Sequence, residues 1–498
     1  MSDDLVVQTA QGAVRGRMRG DVAMWCGIPY AAPPEGPLRF LPPAPPPAWT
    51  GERDATRFGA VAPQSRDSRV AAMSGISEKT AMSEDCLSLN VYSPAADGAR
   101  RPVVVWLHGG AFVMGAGSTP LYDGTSFAAR HDIVVVTINY RIGLLGFLYL
   151  GDIAGDAYAA GNQGLLDQIA ALAWVRENIA AFGGDPDAVT VMGQSAGSIS
   201  IANLLAAPAA RGLVHRAILQ SGASGLFPPT RADASALAHA VLDELGIGPA
   251  RAAEALASVP LERLMAAQEE VIRRRGLAAI APYVDGVTVP DRPIEIARRC
   301  AGANVPLLIG STRDEWTLFQ LFLGPAVSAI VVKEIESRVG AEALGRIHAG
   351  YCAGRSDGSE ERAWVDLIGD VAFWMPAVYL ADAQSACAPV WMYRFDWATP
   401  IFDGRLGATH ALDLPFVWNV AHHPHAQFLL GAEAEAAQPL AHAMHDSWAA
   451  FIRRGDPNGA GLPDWPSYDA GRRATMLLDR ASRVVDDPDR ARRERWPG

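Results

Sequence analysis

The stretch VMGQSAGSIS, residues 191–200, sets a serine between Gly193 and Gly197 in the pattern GxSxG. The β-branched run before it, Ala188–Met192, predicts a short strand, and the residues after it, Ile199–Ala207, predict a helix. Ser195 therefore lies where a strand turns into a helix, and flanking glycines relieve the close contacts of such a turn. The pentapeptide alone is a weak signal. It indicates either a catalytic nucleophile or a small polar residue at a tight turn.

The sequence on both sides of this turn predicts alternating strands and helices. Two continuous apolar runs, Pro102–Leu107 and Ile133–Ile138, predict strands buried on both faces, as in a parallel sheet. Apolar residues at helical spacing from Gly164 to Phe182 predict a helix. Further strands are predicted at Ala217–Gln220, Val305–Ile309 and Val390–Phe395. The pattern predicts an α/β fold with a large, mostly parallel central sheet flanked by helices.

The length of 498 residues would suggest three domains at about 150 residues each, but that prior is soft for α/β enzymes. We expect one domain over residues 1–498. The alanine-rich part, residues 232–279, predicts helices rather than a low-complexity segment. Residues 225–300 are therefore expected to form a helical cap inserted between strands of the sheet.

Composition excludes several classes of function. Hydrophobic residues make up 49% and charged residues 19%, with a net charge of −11, which gives no electrostatic footprint for nucleic acid. Residues 1–12 carry two acids and no apolar core of a signal peptide. No run reaches about 18 uncharged apolar residues, the length of a membrane span. We expect a cytoplasmic monomer or small homo-oligomer without nucleic-acid or membrane partners.

Cysteine usage gives a further expectation about the compartment. The five cysteines are scattered along the chain without a CxxC pair. An odd, sparse set fits reduced, buried thiols better than a disulfide framework or a zinc site. No metal and no cofactor are expected.

A serine at such a turn is a nucleophile only if a histidine takes its proton and an acid orients that histidine. In α/β hydrolases these partners follow the serine in the order acid, histidine, and the oxyanion hole precedes it, after an early strand. The sequence HGGAF, residues 108–112, has that place directly after the predicted strand Pro102–Leu107. The amide that follows Ser195 and the N-terminus of the helix there would face the developing negative charge. The alternative is an ordinary glycine-rich turn.

The residues alone leave the two downstream partners open. The acid is either Asp314 or Glu315, because both follow the same predicted strand. Periodicity does not select one histidine among His410, His422, His423, His425, His442 and His445. Acids in surface loops and solvated histidines are the ordinary alternatives.

Motifs along nearly the whole chain resemble the type B carboxylesterases, which include bacterial p-nitrobenzyl esterase-like enzymes and the cholinesterases. In chain order they are WCGIPYA (25–31), LRF (38–40), EDCLSLNVY (84–92), NYR (139–141), GLLDQ (164–168), FGGDP (182–186) and GDPN (455–458). Together these motifs are far more specific than GxSxG.

The resemblance implies an α/β-hydrolase fold and a serine carboxylesterase that works through an acyl-enzyme. By motif, the nucleophile is Ser195, the acid is Glu315 and the base is His410. Ser221 matches a serine that supports the acid and the histidine.

The resemblance also implies the oxyanion hole. The donors are the backbone amides of Gly110 and Ala111 together with that of Ala196, and Gly109 lets the substrate approach the chain closely.

Two ion pairs of the scaffold are implied in the same way. They join Arg39 to Glu84 and Arg141 to Asp167.

Departures from the family pattern bear on specificity. Ala62 stands where animal members have the cysteine that pairs with the one in EDCL, so Cys86 is expected to be free. Residues 65–83 lack the tryptophan with which cholinesterases hold a quaternary ammonium. Gln194 replaces a frequent glutamate and so removes a negative charge beside the nucleophile. A preference for choline esters or other cationic substrates is not expected.

The substrate pocket is expected to include Phe112, Trp316 and Phe319, with Trp316 replacing a glycine and adding bulk. In this family an oxyanion loop of the GGA type goes with room for esters of bulky tertiary alcohols. The expected substrates are esters with short- to medium-chain acyl groups or aryl groups, including esters of bulky alcohols. The alternatives are amide, carbamate or lactone hydrolysis at the same site, or a non-catalytic cholinesterase-like binding protein.

Overall fold

The fold is built around a mixed sheet that has eleven strands in the residues described by our computed structural model, which are 5–66, 76–77, 79–158, 160–459 and 461–496. A second sheet has three strands, in the order β1-β2-β5. The strands are β1 (Val6–Thr9), β2 (Gly12–Arg15), β3 (Arg17–Arg19), β4 (Val22–Pro29), β5 (Glu52–Asp54), β6 (Ser88–Ser93), β7 (Arg101–Leu107), β8 (Val134–Ile138), β9 (Gly184–Gln194), β10 (Arg216–Gln220), β11 (Leu307–Thr312), β12 (Val390–Phe395), β13 (Ala474–Leu478) and β14 (Arg483–Asp486).

The large sheet has the order β14-β13-β12-β11-β10-β9-β7-β8-β6-β4-β3. Every pair from β8 through β7, β9, β10, β11 and β12 to β13 is parallel, and antiparallel strands complete both edges. The expected mostly parallel sheet is confirmed. Because parallel strands end at the same edge, the loops after β7, β9, β10 and β11 lie together there.

Helices flank the large sheet. They are α1 (Thr125–His131), α2 (Gly143–Phe147), α3 (Gly151–Ala154), α4 (Gln163–Asn178), α5 (Ala196–Ala206), α6 (Arg231–Leu245), α7 (Ala252–Ser258), α8 (Leu261–Arg275), α9 (Pro293–Arg298), α10 (Thr317–Leu323), α11 (Pro325–Val339), α12 (Ala341–Ala353), α13 (Glu360–Gly369), α14 (Met375–Gln384), α15 (Leu414–Val417), α16 (Pro424–Leu430), α17 (Gln438–Arg454) and α18 (Arg490–Arg493).

The predicted cap segment, residues 225–300, contains α6 to α9 and lies between β10 and β11. Helix α6 begins where Thr230 and Asp233 form a reciprocal capping box, and it ends at Gly246, which has a φ of 67°. Apolar side chains of α6, α7 and α8 share one buried cluster with Phe112 and Phe147. That these helices act as a cap stays a prediction.

A second helical insertion, α10 to α14, separates β11 from β12, and no sequence pattern predicted it. Helices α13 and α14 join through a π-helical segment, Asp370–Trp374, into one run over residues 360–384. This run is long and apolar enough to cross a membrane by composition. However, 83% of its most apolar window is buried inside the protein, which is typical of a core helix.

Both predicted ion pairs of the scaffold are present. Arg141 donates to Asp167 through Nε at 2.8 Å and through Nη2 at 2.7 Å, and both side chains are buried. Arg39 donates through Nε to Glu84 at 2.7 Å. Bidentate geometry of this kind offsets the cost of burying the charges.

The expectation of reduced cysteines is wrong for one pair. Cys300, just after α9, and Cys387, just after α14, form a disulfide with a Cα–Cα distance of 5.7 Å. Their separation of 87 residues matches no spacing motif, because only the packing of α9 against α14 brings them together. Cys26, Cys86 and Cys352 are free, as expected for Cys86.

Candidate active site

Ser195 lies on the turn between β9 and α5, where the sequence places it. Its φ of 56° and ψ of −123° are strained for a residue with a side chain. A Cβ on Gly193 would lie 2.7 Å from the carbonyl carbon of Gly197, and a Cβ on Gly197 would overlap the carbonyl oxygen of Leu107. Both glycines are therefore needed for the packing of this turn. The turn is anchored by the amide of Ser195, which donates to the carbonyl of Gln220 at 2.9 Å.

Glu315 and His410 form a buried carboxylate–imidazole pair. His410 Nδ1 is hydrogen-bonded to Glu315 Oε2, and the other oxygen of Glu315 accepts from the amide of Thr312 at 2.8 Å. Both side chains are almost fully buried. The carboxylate therefore holds the ring by Nδ1 and leaves Nε2 for other partners.

The candidates that the residues left open have other partners. Asp314 accepts from the amide of Ala408 at 2.8 Å and pairs with Arg313, so it braces the loop that carries His410. His445 Nε2 lies 3.0 Å from the hydroxyl of Ser126, and its Nδ1 lies 2.7 Å from the carbonyl of Val417. His422, His425 and His442 are exposed and His423 is half-buried. The structure therefore pairs Glu315, and not Asp314, with His410.

The loop after β7 lies beside the serine turn. Ala111 and Phe112 have φ values of 51° and 61°, and Gly110 has a φ of 118°. Within the described residues the amides of Gly110 and Ala111 donate to no protein acceptor. The amide of Ala196 opens α5 and has no partner inside its helix. These three amides are available to bind an anion.

Gly109 is packed against the serine turn itself. A Cβ there would lie 2.8 Å from the carbonyl oxygen of Gln194, 2.9 Å from its Oε1 and 3.1 Å from Ser195 Cβ. A glycine is therefore required by the protein's own packing, in addition to the approach of substrate that the resemblance implies.

Aromatic side chains surround His410. Phe319 lies 5.0 Å from its ring, measured between centroids, and stacks on Trp316 at 4.8 Å. Phe373, from the π-helical segment, lies 4.7 Å from the same ring. Phe112 lies on the loop after β7 and packs edge-on against Phe147 at 5.0 Å. No sequence pattern pointed to Phe373, because only tertiary packing brings this segment to the site.

Gln194 and Ser221 both lie near the site, but only Gln194 contacts the Glu315–His410 pair by a polar group. Gln194 Nε2 lies 3.1 Å from His410 Nε2. The hydroxyl of Ser221 is buried and has no hydrogen-bond partner among the described residues, so it does not contact Glu315 or His410 by a hydrogen bond.

Asp413 is a second buried carboxyl group, three residues after His410, that sequence reasoning missed. Gln220 Nε2 donates to its Oδ2 at 2.9 Å, and the hydroxyl of Tyr393 donates to the same oxygen at 3.1 Å. Burial raises the pKa of Asp413 to about 6, the hydrogen bond from Gln220 opposes this, and the charge of Glu315 adds to it. Its short distance in sequence from His410 was the available signal.

The parallel sheet, the strand-to-helix serine turn and the amide-lined loop define an α/β hydrolase. Comparison with known proteins narrows this class. The profile of the family described as "Carboxylesterase family" matches residues 3–496. Para-nitrobenzyl esterase of Bacillus subtilis is 41% identical over 98% of both chains. Cocaine esterase of Homo sapiens is 36% identical over 92% of this chain and 83% of its own.

A solved carboxylesterase structure from Geobacillus stearothermophilus matches with a TM-score of 0.87 at 44% identity, over 99% of this chain and 100% of that one. The chain belongs to the carboxylesterase family. It is a carboxylic ester hydrolase with the α/β-hydrolase fold, as the motifs indicated.

Proposed function

We propose that Ser195, His410 and Glu315 are the catalytic triad of this carboxylesterase. The observation that carries the proposal is the buried Glu315–His410 pair beside a serine held at a strained turn. Ser195 Oγ attacks the ester carbonyl while its proton passes to His410 Nε2, and His410 then protonates the leaving alcohol. Water repeats both steps on the acyl-enzyme. Glu315 stays ionised and holds the ring by Nδ1.

The oxyanion of each tetrahedral intermediate is bound by the amides of Gly110, Ala111 and Ala196. Each such donor contributes about 3 kcal/mol to stabilisation of the transition state. The positive φ values of Ala111 and Phe112 are consistent with a loop whose amides are directed before substrate arrives.

The proposed substrates are uncharged esters with short- to medium-chain acyl or aryl groups, including esters of bulky tertiary alcohols. The aromatic rings of Trp316, Phe319 and Phe373 around His410 favour aryl groups at the leaving-group side. The neutral side chain of Gln194 supplies no charge for a cationic substrate. A relative named para-nitrobenzyl esterase supports the same class.

The main alternative is cleavage of amides, carbamates or lactones at the same site. This alternative is supported by the different names of relatives, such as phenmedipham hydrolase of Pseudarthrobacter oxydans at 35% identity. The non-catalytic alternative is excluded, because the chain is an ester hydrolase by family. We further propose cytoplasmic action without a cofactor, as a monomer or small homo-oligomer, on the basis of composition.

The substrate proposal is tested with p-nitrophenyl esters from acetate to palmitate, a tertiary-alcohol acetate and an anilide. We expect kcat/KM to be highest for short and medium acyl chains and the anilide to be cleaved slowest. A maximum at palmitate would reverse the acyl-length proposal, and faster anilide cleavage would favour the amide alternative.

The triad is tested by Ser195→Ala, which is expected to lower kcat by at least about 10⁴-fold without unfolding the protein. Ser126→Ala is the matched control, because Ser126 is also hydrogen-bonded to a histidine but lies in helix α1 without an oxyanion loop. The control is expected to keep wild-type turnover. Equal activity of Ser195→Ala and the wild type would exclude Ser195 as the nucleophile.

A further inference from the structure

Gln194 is in contact with the nitrogen that the proposed mechanism uses. Its side chain is buried at the end of β9, and its Nε2 lies 3.1 Å from His410 Nε2. Glu315 binds the same ring through Nδ1. The imidazole is therefore held at both nitrogens by side chains of the protein.

These contacts define the hydrogen positions on the resting ring. A neutral imidazole has one N–H donor and one lone-pair acceptor. The carboxylate of Glu315 only accepts, so Nδ1 carries the hydrogen and Nε2 has the lone pair. The amide nitrogen of Gln194 only donates, and it therefore donates to Nε2. Within the described residues no hydrogen bond joins Ser195 Oγ to His410, so the amide occupies the lone pair that must receive the serine proton.

Once the proton is transferred, Nε2 of His410 needs a hydrogen-bond acceptor and no longer a donor from Gln194. His410 then carries N–H groups at both nitrogens, and an amide N–H facing Nε2–H would place two donors together. The other end of the same carboxamide, Oε1, is an acceptor. A half-turn about the last side-chain bond exchanges the two ends, and such terminal torsions are broad. Gly109 leaves this end of the carboxamide free of a side chain, because a Cβ there would lie 2.9 Å from Oε1.

We propose that Gln194 is a positioning residue that donates to Nε2 of resting His410, whose Nδ1–H tautomer Glu315 sets, and then turns its carboxamide to accept from Nε2–H. This inference rests on the proposed triad. Gln194 exchanges no proton: the proton moves from Ser195 Oγ to His410 Nε2 as the Oγ–acyl bond forms, and from Nε2 to the leaving oxygen as the ester bond breaks.

A glutamate at this position could not serve both states, because a carboxylate only accepts. It would favour a hydrogen on Nε2 in the resting enzyme. Among the described residues, the titratable groups that face His410 are Glu315, from the turn after β11, and Asp413, on its own loop; Phe319 and Phe373 are uncharged. Gln194→Glu would add a third carboxylate to this set.

The first test does not depend on turnover. Nitrogen NMR of enzyme labelled in its histidine rings, with the His410 signals assigned by their loss in His410→Asn, reports which ring nitrogen carries hydrogen. We expect Nε2 to be unprotonated and hydrogen-bonded in the wild type at neutral pH, unprotonated without that bond in Gln194→Met, and protonated in Gln194→Glu. Identical signals in all three proteins would overturn the proposal.

The second test is the pH profile of kcat/KM for p-nitrophenyl acetate. For Gln194→Glu we expect the acid limb to move to higher pH, with about a tenfold loss near pH 6 and a much smaller loss on the alkaline plateau. Gln194→Met, of similar volume, should lower kcat about equally at every pH. A uniform loss in both variants would indicate packing alone and reject the proposal. Absence of ester turnover in the wild type would instead reject the triad, while the NMR result would still stand.

Discussion

Two neighbouring strands of the sheet end in the same way but lead to different chemistry. Gln194 ends β9 and Gln220 ends β10, in register with each other, and the serines that follow them, Ser195 and Ser221, have φ values of 56° and 51°. Helix α5 follows Ser195 directly, whereas no helix opens at Ser221. Ser195 is 8% exposed and Ser221 is fully buried at 0%. A strained serine after a strand is thus not sufficient for a nucleophile; access, a helix N-terminus and free amides distinguish the first turn.

The two glutamines extend the comparison, because both reach the loop of residues 410–413. Gln194 contacts His410, and Gln220 donates to Asp413. One turn therefore adjoins the proposed Glu315–His410 pair and the other holds a second buried acid. Changing matched residues in the two turns tests how far they differ.

The largest difference is expected between the two acids. Glu315→Gln should lower kcat by about 10⁴-fold, because an amide can hold the wrong tautomer of His410. Asp413→Asn, the matched control, removes a charge that does not contact the ring nitrogens, and it should cost about tenfold. Both values are measured as kcat for p-nitrophenyl acetate. If Asp413→Asn were the more damaging change, the assignment of the triad acid would be wrong.

The second prediction concerns stability and pH. Burial raises the pKa of Asp413 to about 6 in the folded state, above its ordinary value of 3.8. Between these values the unfolded chain has lost the proton that the folded chain still binds, so this group lowers the free energy of unfolding as pH rises from about 4 to about 6. Asp413→Asn removes the effect. Between pH 4 and pH 7, the free energy of unfolding of the variant should therefore rise by up to about 3 kcal/mol relative to that of the wild type.

Urea unfolding of both proteins at the two pH values measures this gain. The amide oxygen of Asn can still accept from Gln220 and Tyr393, which limits the cost of the substitution itself. The same stability difference at both pH values would show that folding does not raise the pKa of Asp413.

The third prediction compares the glycines after the two serines. An alanine at Gly197 would overlap the carbonyl oxygen of Leu107, which is backbone, so Gly197→Ala should destabilise the protein by about 2 kcal/mol and displace Ser195 from the oxyanion loop. An alanine at Gly222 would lie 3.0 Å from the carbonyl oxygen of Ser195 and 3.2 Å from Ile199, contacts that small shifts can relieve. Gly222→Ala should have both the higher temperature of thermal unfolding and the higher kcat of the two variants. The reverse order would contradict the packing described for the first turn.

Local patterns predicted the framework of this site. Strand β12 was predicted with its observed bounds, and β9 and α5 were predicted on either side of Ser195, because apolar and β-branched runs directly reflect burial and local conformation. The strand bounds of β9 were too short, since Gly184–Asp187 carry no β-branched signal, although Gly184 pairs with Arg101 of β7.

The rest of the site depends on side-chain direction and on contacts distant in sequence. Asp314 and Glu315 follow the same strand, and only the geometry shows that one braces a loop while the other meets His410. Phe373 reaches the site from a different insertion, and the Cys300–Cys387 disulfide joins helices that no spacing relates. Family resemblance selected the residues of the proposed triad where periodicity could not.

The smallest expected effect is that of Ser221→Ala. Its hydroxyl makes no hydrogen bond within the described residues, so removing the hydroxyl loses no partner and relieves an unsatisfied buried group. Alanine pays the same steric cost as serine at a φ of 51°, so the free energy of unfolding should change by less than about 1 kcal/mol and kcat by only a few fold. Ser221→Gly should stabilise the turn by about 1 kcal/mol, because glycine adopts this φ without strain. A large loss of kcat in Ser221→Ala, with unchanged stability, would show that this hydroxyl binds Glu315 or His410 during turnover and that the two turns are less different than their resting geometry indicates.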